Sequence, residues 1–226
     1  MTSTFLRFAL TSLAAIGVAS CARATSGAST APELDSARNG QLEAIYRARL
    51  DSARMRFTPA DVHFMTSMIA HHAQAVVAAR MAESHGASPS ILTLAGRIIN
   101  AQQDEIATME QWLRDRRQPV PELHIEGTSV MMHGGMHVHM PGMLTAEQMR
   151  QLDEARDAEF DRLFLAYMIQ HHRGAVTMVR DLFATDGAGQ DEEVFKFASD
   201  VQVDQSTEVA RMELMLAELT PADRTP

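Results

Sequence analysis

Between residues 58 and 118 the apolar positions recur at helical spacing, in two runs. Phe64, Met65, Met68, Ile69, His72, Val76 and Ala79 follow an i, i+3, i+4, i+7 rhythm. So do Leu92, Ala95, Ile98, Ile99, Gln102, Ile106, Met109 and Leu113. Thr58-Pro59-Ala60-Asp61 predicts the first helix start, because Thr caps, Pro suits the first turn and Asp takes the box position. Gly86 is the expected stop, and Ser88-Pro89 opens the second helix. Arg114, Arg116 and Arg117 favour the negative end of that helix, before Pro119 and Pro121 close it. A third helical stretch starts at the capping box Thr145-Ala146-Glu147-Gln148 and runs to about Ala184. Its length predicts a break near Ala155–Glu159. After the turn at Asp186–Gly189, a last helix runs from about Asp191 to Leu219. A weaker helical pattern covers Glu33 to about Arg56, marked by Leu34, Ala37, Leu42, Ile45 and Leu50.

The halves repeat. Asp61, Phe64, Met68, Ile69, His71, His72, Ala75, Val76 and Arg80 recur 100 positions later as Asp161, Phe164, Met168, Ile169, His171, His172, Ala175, Val176 and Arg180. Gln102, Glu105, Ile106, Ala107, Met109, Glu110 and Leu113 recur as Gln205, Glu208, Val209, Ala210, Met212, Glu213 and Leu216, at an offset of 103. Two helical hairpins, each with one apolar stripe, bury those stripes best against each other. The expectation is an all-α fold: an antiparallel four-helix bundle of two repeated hairpins, about 57–118 and 145–219, with an extra N-terminal helix. Residues 33–226 are expected to form one domain, with 119–144 as a linker lacking helical or strand period.

Composition narrows the chemistry. Of 226 residues 46% are hydrophobic but only 5% aromatic, so aliphatic, Ala and Met side chains must fill the core. A net charge of −9 argues against general nucleic-acid binding. Residues 1–20 resemble an export signal: Arg7 precedes an apolar run from Phe8 to Ala19, shorter than the about 20 residues that span a bilayer. Val18-Ala19-Ser20-Cys21 resembles a lipoprotein lipobox, which implies a lipid on Cys21 and a membrane-anchored chain in the periplasm or on the cell surface. Plain cleavage with Cys21 incidental is the alternative. Residues 21–32 read as a flexible tether, and a single cysteine excludes an internal disulfide.

Met68 lies one turn from both His71 and His72, and the two histidines diverge by about 100° around the helix. His72 falls on the apolar stripe and should point inward, with His71 flanking it. Met168, His171 and His172 repeat the arrangement. Imidazole with thioether favours copper, Cu(I) above all, over Mg or Ca, and leaves other soft or borderline transition metals open. Histidines bind metal when neutral, so affinity should fall below about pH 6.5. Glu105 with Met109, and Glu208 with Met212, are candidate ligands or candidate acceptors that orient the imidazoles. Buried Met is also ordinary core filler, and a paired His can be structural. A second candidate site is the linker run Met131, Met132, His133, Met136, His137, His139, Met140 and Met143, which no core periodicity explains. His63 and His124 read as structural or solvent-facing, and His85 as a helix-end cation. No His-Glu-x-x-His, P-loop, Gly-x-Gly-x-x-Gly or nucleophile-elbow pattern occurs, so no enzyme is expected.

The stretches "DVHFMTSMIAHHAQAVVAARMA" (61–82), "QQDEIATMEQWL" (102–113) and "FDRLFLAYMIQHHRGAVTM" (160–178) resemble the signature helices of a bacterial family named "domain of unknown function 305". The resemblance implies a ferritin-like four-helix bundle, exported or lipid-anchored, some of whose members are similar to periplasmic proteins that hold Cu(I) with Met and His. Met215 departs from the Trp usual in the family's last helix. The function expected is a cell-envelope protein that sequesters or carries copper. An envelope scaffold without metal, or a ferritin-like metallo-oxidase, is the alternative.

Overall fold

A computed structural model describes residues 31–132 and 140–219. The expected export signal, Cys21, nearly all of the tether, and His133, Met136, His137 and His139 lie outside the described residues. The chain divides into two compact units, Met1–Tyr46 and Arg47–Pro226. Helix α1 (Ala31–Arg54) begins in the first unit, where Leu42, Ile45 and Tyr46 are exposed.

The second unit holds α2 (Pro59–Ser84), α3 (Pro89–Asp115), β1 (Leu123–Glu126), β2 (Ser129–Met132), α4 (Ala146–Glu154), α5 (Asp157–Ala184) and α6 (Glu192–Leu219). Helix α2 starts on the expected capping box: Asp61 N donates to Thr58 Oγ1 at 3.2 Å, and Thr58 N donates back to Asp61 Oδ2 at 2.8 Å. Thr145 and Gln148 cap α4 in the same way. Helix α2 pairs with α3, α5 with α6, and α2 meets α5 between the hairpins. The result is an all-α bundle of two hairpins.

Aspartates at equivalent places tie the hairpins together. Asp61 on α2 accepts from Gly189 N, in the α5–α6 turn, at 2.7 Å. Asp161 on α5 accepts from Ser88 N, in the α2–α3 turn, at 3.1 Å. Each carboxylate therefore satisfies an orphan amide at the other hairpin's bend.

The expected break in the third helical stretch falls at Ala155–Arg156, without proline or glycine. Asp157 takes φ +52 and donates its N–H to His85 O at 2.8 Å, so tertiary docking on the α2–α3 turn interrupts the helix. His85 is at the end of α2, as expected, and the docking also buries it: its ring lies between Ser84 Oγ, 2.9 Å away, and Asp153 O, 2.9 Å away.

Residues 123–132 of the linker are more ordered than its composition implied. β1 and β2 form an antiparallel hairpin with Leu123 opposite Met132 and His124 opposite Met131. Leu123 and Met132 pack on the core. Period-2 alternation over four residues is too short to stand out in a sequence this rich in Met and His.

Two apolar clusters fill the bundle. One gathers the C-terminal half of α2, the N-terminal halves of α3 and α5, and Met212 of α6. The other gathers Phe64–Ala70 of α2, Met109–Leu113 of α3, Ala175–Leu182 of α5 and Val194–Val201 of α6. At the far end of the second cluster, the buried Arg116 guanidinium donates to Asp191 at 2.6 Å and lies 4.4 Å from the Trp112 ring centre. What separates the two clusters along every long helix is polar.

Candidate metal centre

His71 and His72 on α2, His171 and His172 on α5, Gln102 on α3 and Gln205 on α6 all fall between the clusters, and all six are buried. They form a polar layer across the middle of the bundle. The four imidazoles follow one another as His72, His71, His171 and His172, with ring centres 6.3, 3.8 and 6.0 Å apart. The short central step is the α2–α5 crossing. His71 thus faces its own repeat mate, while His72 faces α3 and His172 faces α6.

Each imidazole uses Nε2 and leaves Nδ1 free. His72 Nε2 is 2.6 Å from Glu105 Oε2, and His172 Nε2 is 2.8 Å from Glu208 Oε2. His71 Nε2 is 3.0 Å from Pro141 O, and His171 Nε2 is 3.0 Å from His71 O. Carbonyl and carboxylate oxygens only accept, so Nε2 carries a proton in all four rings, and in the neutral ring Nδ1 keeps a lone pair. None of the four buried Nδ1 atoms has a hydrogen-bond partner, nor do the Gln102 amide and Gln205 Oε1. Leaving one buried polar atom unpaired costs about 1–3 kcal/mol. Four unpartnered ring nitrogens at one level of the bundle are therefore a costly arrangement, and each sits on a ring oriented through its Nε2.

Burial sets the charge state at the crossing. Desolvation, then repulsion from His72, lowers His71 from the ordinary 6.5 to about 3, despite the opposing bond to Pro141 O. Desolvation, then the charges of the other three histidines, also holds His171 well below the ordinary range. For these two rings, proton competition therefore begins below the expected pH of about 6.5.

The methionines named from sequence flank the layer. Met68 and Met109 belong to one apolar cluster, Met168 and Met212 to the other, and all four are fully buried. The two Met-His units therefore point their sulfurs to opposite sides of the histidine layer, as antiparallel α2 and α5 require. Glu105 and Glu208 are half-buried, and each carboxylate lies within hydrogen-bond distance of His72 or His172. Among the described residues, no group of three or more His, Cys, Asp and Glu side chains is assembled to hold a metal ion. The thioethers lie on either side of this level.

The residues 100 apart match the Domain of unknown function (DUF305) family, whose pattern covers residues 61–216. The chain belongs to this family. A DUF305 fragment from Deinococcus radiodurans is similar at 29% identity with a TM-score of 0.60, covering 72% of this chain and 98% of that one. A putative secreted DUF305 protein from Streptomyces coelicolor is similar at 26% identity with a TM-score of 0.59, covering 71% and 93%. CopM in its Cu(II)-bound form is similar at 29% identity with a TM-score of 0.55, covering 71% and 97%. CopM is also known in Cu(I)- and Ag-bound forms. No curated protein matches the chain.

Family membership does not explain one asymmetry of the layer. The repeat pairs Gln74 with Gly174 and Ala70 with Gln170, and these mismatches hold the end of the linker. A Cβ on Gly174 would sit 2.1 Å from Pro141 O, so only glycine lets residues 141–142 lie on α5 there. Gln74 accepts from Leu144 N at 2.7 Å and donates to Leu144 O at 3.0 Å. Gln170 donates to Gly142 O and Met143 O. The linker is thereby clamped with Pro141 O on His71. Gln74, Gly174 and Pro141 carried no chemical signal in sequence, but the broken repeat at 74 and 174 was visible. Met140 is buried and Met143 half-buried against the same cluster as Met68, while Met131 and Met132 sit in β2.

Asp204 is a further neighbour that sequence reasoning passed over. Partial desolvation, then the negative charges of Glu105, Asp200 and Glu208, raise its carboxyl above the usual range. The carboxylates that support His72 and His172 therefore share an acidic surround. No spacing connects Asp204 on α6 to Glu105 on α3, so only the packing reveals it. Among the described residues no helix is long and apolar enough to cross a membrane.

Proposed function

We propose that this protein is a cell-envelope copper binder that sequesters or carries the metal, with the histidine layer as its site. The observation that carries this reading is the set of four buried Nδ1 lone pairs, each on a ring fixed through Nε2. His71, His72, His171 and His172 are the nitrogen donors. Met68, Met109, Met168 and Met212 are the nearby sulfur donors, and Glu105 and Glu208 orient the outer rings. Nitrogen with thioether and no free carboxylate is a donor set for Cu(I). The copper- and silver-bound forms of CopM, at 28–29% identity, support the same class of ion. A secreted relative and the apolar N-terminal run support export, and the lipobox-like Val18–Cys21 supports a lipid anchor. The Met/His run of residues 131–143 is a second proposed site of capture.

The test is anaerobic Cu(I) titration of the purified chain against a chromophoric chelator. Binding should fall in a His171→Ala, His172→Ala, Met168→Leu variant of unchanged helicity. Equal binding by that variant and the wild type would remove the histidine layer from the proposal. Deleting residues 131–139, which leaves Pro141 in place on His71, tests the linker separately.

A further inference from the structure

We infer that the bundle carries a separate, surface-accessible site for a soft monovalent cation, made by His63, Met140 and Met178. These three side chains line one pocket of about 190 Å3, together with Pro141 and Asp181. They come from three places: His63 from α2, Met178 from the last third of α5, and Met140 from the residue where the linker meets the bundle.

The exposures grade inward. His63 and Asp181 are exposed, while Met140 is 6% and Met178 7% exposed. An arriving cation meets a carboxylate and an imidazole first, then two sulfurs. Two thioethers with one imidazole are soft donors that suit Cu(I) or Ag(I) and serve Zn, Mg or Ca poorly. The pocket also shares a wall with the histidine layer, because Pro141 lines it and places its carbonyl 3.0 Å from His71 Nε2. An ion seated here is one residue away from the buried rings.

None of these residues shows the site alone. His63 is a lone histidine beside the signature pair, and Met178 has the spacing of ordinary core. The packing of the linker's end against α2 and α5 puts Met140 between them. The choice of Cu(I) as the natural ion rests on the copper reading of the histidine layer, but the donor set of this pocket stands independently of it.

The experiment is Ag(I) titration of the full chain, labelled with 13C at the methionine methyl groups and followed by NMR. Ag(I) is a redox-inert probe of the Cu(I) class. The Met140 and Met178 methyl resonances should shift on addition of Ag(I). In His63→Ala the affinity read from them should weaken by about tenfold or more, the scale on which lost support shows in metal binding. The conservative pair Met140→Leu, Met178→Leu should lose this equivalent while retaining fold and volume. Shifts at Met68 and Met168 without shifts at Met140 and Met178 would overturn the pocket and leave the histidine layer standing. Shifts at Met140 and Met178 alone would uphold the pocket and remove the layer. Unchanged Ag(I) affinity in His63→Ala would overturn the pocket as drawn.

Discussion

His71 and His171 face each other across the α2–α5 crossing with ring centres 3.8 Å apart, and the His171 ring donates to the backbone carbonyl of His71. Burial and the neighbouring rings both favour the neutral form of these two imidazoles. The unfolded chain has no such restriction and takes up protons near 6.5.

Stability of the metal-free protein should therefore rise with pH across the acid range. A histidine lowered in the folded state contributes fully above 6.5 and loses that contribution as pH falls towards its folded value, about 3 for His71. At pH 5 the loss is about 2 kcal/mol for His71, at about 1.4 kcal/mol per pH unit, and His171 shifts in the same direction. Urea midpoints at pH 7.5 and pH 5 measure it. An equal or higher midpoint at pH 5 would contradict burial of two neutral rings.

Replacing Glu105 or Glu208 by Gln should weaken Cu(I) binding by about 10- to 100-fold each, because the carboxylate behind the ring raises its basicity and fixes its tautomer. The fold should persist, since both glutamates are only half-buried. Competition titration and circular dichroism on the same samples separate the two effects. Full affinity in both variants would make the two carboxylates ordinary surface charges.

Gly174→Ala should displace the linker from α5. The added Cβ would lie 2.1 Å from Pro141 O and 2.5 Å from Gly142 Cα, both backbone. Overpacking of this kind costs about 1–3 kcal/mol. It should also release His71 Nε2 from Pro141, visible as a changed His71 imidazole signal by NMR. A thermal midpoint and a His71 signal both equal to wild type would show that the contact is not formed.

Gln74→Ala acts on the same segment from α2. It strands the buried N–H and C=O of Leu144, at about 1–3 kcal/mol. Combined with Gly174→Ala, the cost should be less than additive, because either change frees the same segment, Pro141–Leu144. Strict additivity in chemical denaturation would mean that the two grips are independent.

Asp191→Ala should be among the most destabilising single changes. It leaves the Arg116 guanidinium, 1% exposed, without its buried partner, and removes the acceptor for Trp112 and for the first amides of α6. Breaking one side of a buried pair costs about 3–5 kcal/mol. Exposed pairs such as Arg150 with Glu147 serve as controls, expected within about 1 kcal/mol of wild type.

Much of the bundle was legible because its signals are local. Thr58 with Asp61 and Thr145 with Gln148 cap helices through contacts three residues apart, and the stripes through Phe64–Val76 and Ile98–Leu113 repeat every turn. The duplication added topology, since two copies of one hairpin with one apolar face must bury those faces together. The β-hairpin at 123–132 was missed because four-residue strands leave too few alternations to read. The buried setting of His85 was missed because Asp157 and Asp153, which enclose it, are about 70 residues away.

The sequence by itself determined the donor types, their duplication and the helices that carry them, because these depend on residue identity and a 3.6-residue period. Helical periodicity placed His72 inward, but it could not say that His71 is buried as deeply. Only the tertiary structure decided that His71 meets His171, that Glu105 and Glu208 hold the outer rings, and that four Nδ1 atoms are left bare. Those facts depend on the crossing of α2 with α5 and on the clamp of Gln74 and Gly174 on Pro141–Leu144. They are contacts between residues far apart in the chain, up to 100 positions for His71 with His171. A local pattern fixes which face of a helix is buried, and the packing of the other helices fixes which atoms on that face remain free.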